Sequence, residues 1–178
     1  MAINFCKTYS IKYPVLVGVK EAAKVLKDIK SSNIPVMIVR VHDLPDKADD
    51  DIDAVYKLPA LLQKEGILFC LSSEGDTEME AMNCRNLPFL AGSAVAHGLN
   101  KEEALMSITY NTAKIMGIDK KLGSLEENKT ASFVISEGDI LDMKSSIITA
   151  AYIAGKEVNL KNQQTELYLK YKTKYGIK

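Results

Sequence analysis

The chain has 178 residues, a length that suits one domain able to bury a proper core. Hydrophobic residues make up 47% and charged residues 26%, an ordinary soluble, globular balance, and 23 Lys and Arg cancel 23 Asp and Glu. Zero net charge removes the electrostatic case for nucleic acid or an anionic membrane as partner. No apolar run approaches the length of a bilayer span, and the opening MAINFCKTYSIKYP lacks a signal-peptide pattern, so the compartment stays open. The three cysteines, Cys6, Cys70 and Cys84, are odd in number and have no Cys-x-x-Cys spacing, which argues against a structural zinc site or a disulfide framework.

In chain order, Val15-Leu16-Val17 reads as a strand ending at Gly18. A helix follows, with Ala22, Val25, Leu26 and Ile29 at the spacing of one buried face, and Ser31-Ser32-Asn33 breaks it. Residues 35–39, Pro-Val-Met-Ile-Val, form a second strand whose unbroken apolar character suggests burial on both faces of a parallel sheet. An Asp-rich loop from Asp43 to Asp53 leads to a helix over 54–64 with Val55, Leu58, Leu61 and Leu62 as its stripe. Gly66 stops that helix, and 67–71 is the third strand. Strand, helix, strand, helix, strand is the order of right-handed parallel crossovers.

After the polar turn 72–76 the spacing predicts a helix over 88–97 and another over 101–116. Asn100 is the expected N-cap of the latter, with Glu103 at the capping-box position and Gly117 as its stop. Residues 131–135 and 147–153 read as strands, with a tight turn at Gly155-Lys156. In the tail, Leu167, Tyr168, Tyr171 and Tyr175 fall on one helical face, a docking face by expectation.

The stretch GLNKEEALMSITYNTAKIMGIDKKLGSLEENKTASFVIS resembles the amidohydrolase superfamily, near its imidazolonepropionase-like and dipeptidase-like members. The resemblance is carried by Gly98-Leu99, Glu102-Glu103-Ala104-Leu105, Thr109, Asn111, Ala113 and Gly117. It continues through Gly123-Ser124-Leu125-Glu126, Lys129, Ala131, Phe133-Val134-Ile135 and the later Tyr152 to Val158. Two positions depart from the pattern: Asn128 stands where the family has Gly, and Ser132 where it has Asp. Thr109, Asn111 and Ala113 read as helix packing against a barrel.

The resemblance implies an α/β fold that is part of a (β/α)8 TIM barrel. The last three parallel strands with their helices would occupy residues 1–122, a few strands of a small β-sandwich subdomain 123–160, and a C-terminal helix 161–178. It also implies hydrolysis of a C–N bond (amide, cyclic amide or peptide) in a small-molecule or peptide substrate, by water activated on a divalent metal, zinc by preference. The family's His-x-His pair is not in this sequence, which has two histidines, His42 and His97.

The family's last-strand Asp corresponds to the position eight residues after Gly66, which is Glu74. Glu74 is thus the candidate catalytic acid, with Asp76 as the alternative if the alignment slips; a loop acid capping a turn is the bland reading of both. His42, at the end of the second strand, is the candidate substrate contact, its ring oriented by Asp43, or else a hydrogen-bonded loop histidine. His97 reads as a histidine favoured by a helix C-terminus.

No metal ligand set and no bound metal are expected of this chain alone, which on that ground should be inactive by the family mechanism. An incomplete barrel exposes a strand edge and apolar faces, so self-association or association with the missing N-terminal portion is expected. The alternative function is a non-catalytic binding or assembly module derived from the fold.

Overall fold

The computed structural model describes residues 1–73 and 78–177, the side chains of residues 78–80 excepted. Helix α1 (Ala2–Thr8) precedes β1 (Leu16–Val17), and a 3₁₀ turn over Lys20–Val25 feeds α2 (Leu26–Ser32). The single helix expected here is therefore two pieces. Ala22 and Ile29 are buried as the pattern requires, but Val25 is 43% exposed. With φ −132° and ψ 27° it caps α2, at the point where three residues per turn give way to 3.6. Asn33 ends α2 in the left-handed conformation, φ 54°.

β2 (Val36–Ile38), α3 (Ala54–Glu65) and β3 (Phe69–Leu71) complete a parallel sheet in the order β1-β2-β3, as the apolar runs predict. Leu16 lies beside Val36, and Val36 beside Phe69; Met37 lies beside Val17 and Cys70. Residues in register point to one side, so these are two rows on opposite faces. Leu16, Val36, Ile38, Phe69 and Leu71 join Ala22, Ile29, Leu58 and Leu62 in the main core. Leu62 is fully buried, a position where truncation to Ala costs about 2–5 kcal/mol. In the other row Val17 is 58% exposed, whereas Cys70 is covered and burial pushes its thiol up.

Beyond β3 come α4 (Glu78–Asn83), a 3₁₀ turn over Cys84–Asn86, and α5 (Leu87–Ala96). The helix expected over 101–116 is broken into α6 (Lys101–Ser107) and α7 (Tyr110–Ile115). The break falls where hydroxyls compete with the backbone ladder. Ser107 Oγ donates to the Ala104 carbonyl at 2.7 Å, and Thr109 Oγ1 to the Leu105 carbonyl at 2.7 Å. Thr112 Oγ1 donates back across the break to the Ser107 carbonyl at 2.9 Å.

Asn100 caps α6 as expected, its Oδ1 accepting from the amides of Glu102 at 2.9 Å and Glu103 at 3.3 Å. Glu103 does not close a capping box, because the Asn100 amide donates to Gln63 Oε1 at 3.1 Å instead. The cap therefore ties α6 to the end of α3.

Three antiparallel strands follow: β4 (Phe133–Glu137), β5 (Ile147–Ile153) and β6 (Lys156–Glu157). Among the described residues they form one sheet. β4 starts two residues later than the sequence suggests, because Ser132 is used as a cap: its Oγ accepts from the Ala154 amide at 3.0 Å. The β5–β6 turn is Ala154-Gly155, both at positive φ (50° and 77°), the backbone that a two-residue hairpin needs.

The loop between β4 and β5 docks this sheet onto the helices. Leu141 is buried, a Cβ on Gly92 of α5 would come 2.1 Å from its carbonyl oxygen, and Lys101 Nζ lies 2.7 Å from Asp139 Oδ2. The last helix, α8 (Gln163–Lys174), is capped by Asn162 and leaves Leu167, Tyr168, Tyr171 and Tyr175 exposed. No helix among the described residues is long and apolar enough to cross a membrane.

Candidate functional site at the carboxyl ends of the strands

In parallel strand–helix folds, ligands are bound at the carboxyl ends of the strands, where loops converge and helix N-termini point. Here those ends are Gly18 after β1, Val39 to Asp43 after β2, and Ser72-Ser73 after β3. A pocket of about 360 Å³ opens beside the last two, a size at the low end for small-molecule sites. It is lined by Val39, Arg40, Val41, His42 and Ser73 from the strand ends, by Asn83, Asn86, Phe89 and Leu90, and by Met143 of the β4–β5 loop. The elements forming it are thus β2, β3, the α4–α5 segment and the small sheet. Ser73 Oγ and Cys84 Sγ are 2.9 Å apart, which holds the 3₁₀ turn against the end of β3.

His42 sits at this pocket with its ring exposed, as its place after β2 suggests. Its expected orienting partner, Asp43, is otherwise engaged. The Asp43 carboxylate accepts from the Leu44 amide at 2.9 Å and pairs with Lys20 Nζ, which holds its carboxyl below the usual range. That ion pair ties the end of β1 to the loop after β2, with Asp46 adding a contact to Lys20 at 3.8 Å.

The group that fixes His42 is Ser93 in the middle of α5, with Nε2 2.6 Å from Oγ. Ser93 Oγ also lies 3.1 Å from the Phe89 carbonyl, so this hydroxyl bridges the His42 ring and the backbone of α5. The Tyr56 ring stacks 5.4 Å from His42 and lies 4.9 Å from His97. His97 caps α5, and its Nδ1 donates to the Ser93 carbonyl at 2.8 Å, since a carbonyl can only accept. Both histidines of the chain therefore gather on Tyr56 and Ser93. Sequence reasoning missed these two residues; a polar Ser within the apolar run Leu-Ala-Gly-Ser-Ala-Val is the one local signal for Ser93.

Glu74 and Asp76, the candidate catalytic acids, lie outside the described residues. Among the described residues no three His, Cys, Asp or Glu come together in a way that could hold a metal ion. His42 and His97 have one nitrogen each committed to Ser93, and two acids in this region, Asp43 and Asp53, are paired with Lys20 and Lys57. The described residues thus do not fit a metal by themselves.

Three parallel strands with crossover helices and a ligand-sized pocket at their carboxyl ends place this chain in the parallel α/β class. The amidohydrolase family model matches residues 11–160, so the chain belongs to the amidohydrolase family. It is 41% identical, over 69 residues, to the imidazolonepropionase of Syntrophobacter fumaroxidans (strain DSM 10017 / MPOB); the match covers 38% of this chain and 15% of that protein. Among solved structures, an amidohydrolase from Thermotoga maritima MSB8 superposes with a TM-score of 0.77 at 28% identity, over 90% of this chain and 40% of the other. An enamidase superposes with a TM-score of 0.61 at 14% identity, covering 85% of this chain and 42% of that one; at that identity the likeness is one of fold. The chain thus spans well under half the length of each of these relatives.

Proposed function

We propose that this chain supplies the last three strands and the C-terminal elements of an amidohydrolase that hydrolyses a C–N bond in a small amide, cyclic amide or peptide. The observation that carries the reading is the match to the family over residues 11–160 together with the superposition on the Thermotoga maritima enzyme over 90% of the chain. Residues 1–122 are then barrel, 123–160 the chain's share of a small β-sandwich subdomain, and 161–178 a terminal helix. The remaining strands, on the same polypeptide or another, supply the metal ligands, with zinc as the preferred ion. Glu74 holds or passes the proton at the end of β3, with Asp76 as the alternative, and His42 contacts the substrate from the end of β2.

Joining this chain to the five missing strands of the Thermotoga maritima amidohydrolase tests the reading. The joined protein, loaded with zinc, is expected to hydrolyse members of a dipeptide and cyclic-amide panel, and Glu74→Gln is expected to lower that rate by about 10²–10⁴. A joined protein that folds and binds zinc but hydrolyses nothing removes the proposal. By the same reading, the chain alone is expected to come through dialysis with well under one metal ion per molecule by elemental analysis. Stoichiometric zinc, nickel or iron would mean that this chain carries a ligand set of its own.

One residue favours a second reading, a binding module without catalysis: residue 74 is Glu, a side chain one methylene longer than the Asp that the family resemblance calls for. Catalytic geometry tolerates little displacement. Glu74→Asp in the joined protein separates the two readings: a large gain in rate marks a degenerated site.

A further inference from the structure

The balance of 23 basic and 23 acidic residues over the whole chain hides a segregation at its end. Residues 161–178 hold five lysines, Lys161, Lys170, Lys172, Lys174 and Lys178, against the single acid Glu166. That leaves 18 basic residues against 22 acidic in residues 1–160. The electrostatic argument against an anionic surface therefore applies to the body of the chain and not to α8. At about 100° per residue, Leu167, Tyr168, Tyr171 and Tyr175 span one arc of that helix, which Gln164 joins at its N-terminal end. Lys172 lies beyond one edge of the arc, Lys170 and Lys174 beyond the other, and Leu169 on the far side. The four arc residues are exposed, Tyr168 by 61% and Tyr175 by 65%. Lys170 and Lys174 are exposed too, whereas Lys172 is half-buried.

We propose that α8 is a peripheral anchor that lies on an anionic lipid surface, its arc among the headgroups and its lysines against their phosphates and carboxylates. A lysine at the border of an apolar arc keeps its methylenes with the arc while its amine reaches the charged layer. Tyrosine, apolar in its ring and polar at its hydroxyl, suits the same boundary. The lysine distribution is what selects the occupant, because each lysine close to an anionic surface tightens binding about fivefold, and a neutral partner gains nothing from it. The rings favour lipid over single-stranded nucleic acid, which stacks its bases on open ring faces. Tyr171 and Tyr175 stack on each other at 6.2 Å, and Lys174 Nζ sits 5.9 Å from one ring and 5.3 Å from the other. The excess of acids in residues 1–160 is repelled by the same surface, which leaves α8 as the point of contact.

Co-sedimentation of the full chain with vesicles tests this, using phosphatidylcholine alone and a phosphatidylcholine–phosphatidylserine mixture of about 2:1. The chain is expected to bind the mixed vesicles more than about tenfold more tightly than the neutral ones, and to leave them as salt rises from about 0.1 M to about 0.5 M. Lys170→Gln with Lys174→Gln, checked for folding by circular dichroism, is expected to weaken binding to the mixed vesicles about thirtyfold. Tyr168→Ser, at an exposed position, is expected to weaken binding while leaving the salt dependence in place. Equal binding to the two kinds of vesicle, no binding to either, or an undiminished preference in the lysine variant would each overturn the proposal. So would tighter binding to oligothymidylate than to the mixed vesicles, which would give the helix to nucleic acid. A lipid-free dimer in light scattering that Tyr168→Ser dissociates would give the arc to a second copy, and would overturn it too. None of these readouts involves a metal or turnover, so they stand apart from the hydrolysis test of the joined protein.

Discussion

Asn128 and Ser132 are the two positions at which the chain leaves the family pattern, and the structure shows how each residue still does what its position requires. Asn128 has φ 66°, a left-handed backbone that glycine adopts freely and asparagine tolerates better than other residues. Around it, Lys129 Nζ reaches Ser124 Oγ at 2.5 Å and Glu126 Oε1 at 3.0 Å, so the turn is cross-linked through side chains. Asn128→Gly is therefore expected to leave stability within a few tenths of a kcal/mol, while Asn128→Val costs about 1–2 kcal/mol in urea unfolding. Equal stabilities for the two variants would show that the turn relaxes out of the left-handed region.

Ser132 accepts from the Ala154 amide at 3.0 Å, a bond that an Asp carboxylate could also take. Asp139 adds a pH dependence. Its hydrogen bond from Lys101 holds its carboxyl below the ordinary value of 3.8. A carboxyl depressed in the folded state contributes its stability fully above the unfolded value and loses it as pH falls through the folded one. Anchoring of the Leu141 loop is thus expected to be independent of pH above about 4 and to weaken below it, followed by the Leu141 methyl signals. In Lys101→Met the same change should begin at a higher pH; an unchanged midpoint would show that Lys101 is not the cause.

At the scale of elements, α5 does more than its length suggests. Its apolar residues bury Ala91 and Ala94, its Ser93 fixes His42, and its Gly92 admits the β4–β5 loop. A Cβ at Gly92 would stand 2.1 Å from the Leu141 carbonyl oxygen, a backbone atom that cannot step aside like the tip of a side chain. Gly92→Ala is expected to destabilise the chain by about 1–3 kcal/mol despite alanine's better helix propensity, and to shift the signals of Leu141 and Met143. A rise in melting temperature would mean that helix propensity outweighs the clash.

The broken helix over 101–116 carries the opposite lesson. Its stripe of apolar residues has the right period, but Ser107, Thr109 and Thr112 give the carbonyls partners outside the ladder, and a period count cannot see that.

For the molecule as a whole, what was legible in the sequence was local. The unbroken apolar runs at 35–39 and 67–71 announced buried parallel strands, and Gly66 and Gly117 end their helices at φ 69°. Asn100 sits where a cap was expected. What was not legible came from contacts between distant residues. Asn100's amide is taken by Gln63, 37 positions earlier, and His42 is oriented by Ser93, 51 positions later, rather than by adjacent Asp43. Of the residues read as helix packing, Asn111 and Ala113 are buried, while Thr109 is exposed. The pocket itself could not be read from any single segment, because its lining comes from four separate parts of the chain, 39–42, 73, 83–90 and 143.

That division of labour has a thermodynamic corollary. Met143 and Leu141 belong to the same loop, one lining the pocket and the other buried against α5. A displacement of the small sheet from α5 would therefore also remove one side of the pocket's lining. Whatever a bound molecule gains from Met143, it returns as added affinity between the small sheet and α5, and by linkage the two gains are equal. The small sheet is in this sense a covalently attached co-ligand of the pocket, present at the high effective concentration that a short tether confers.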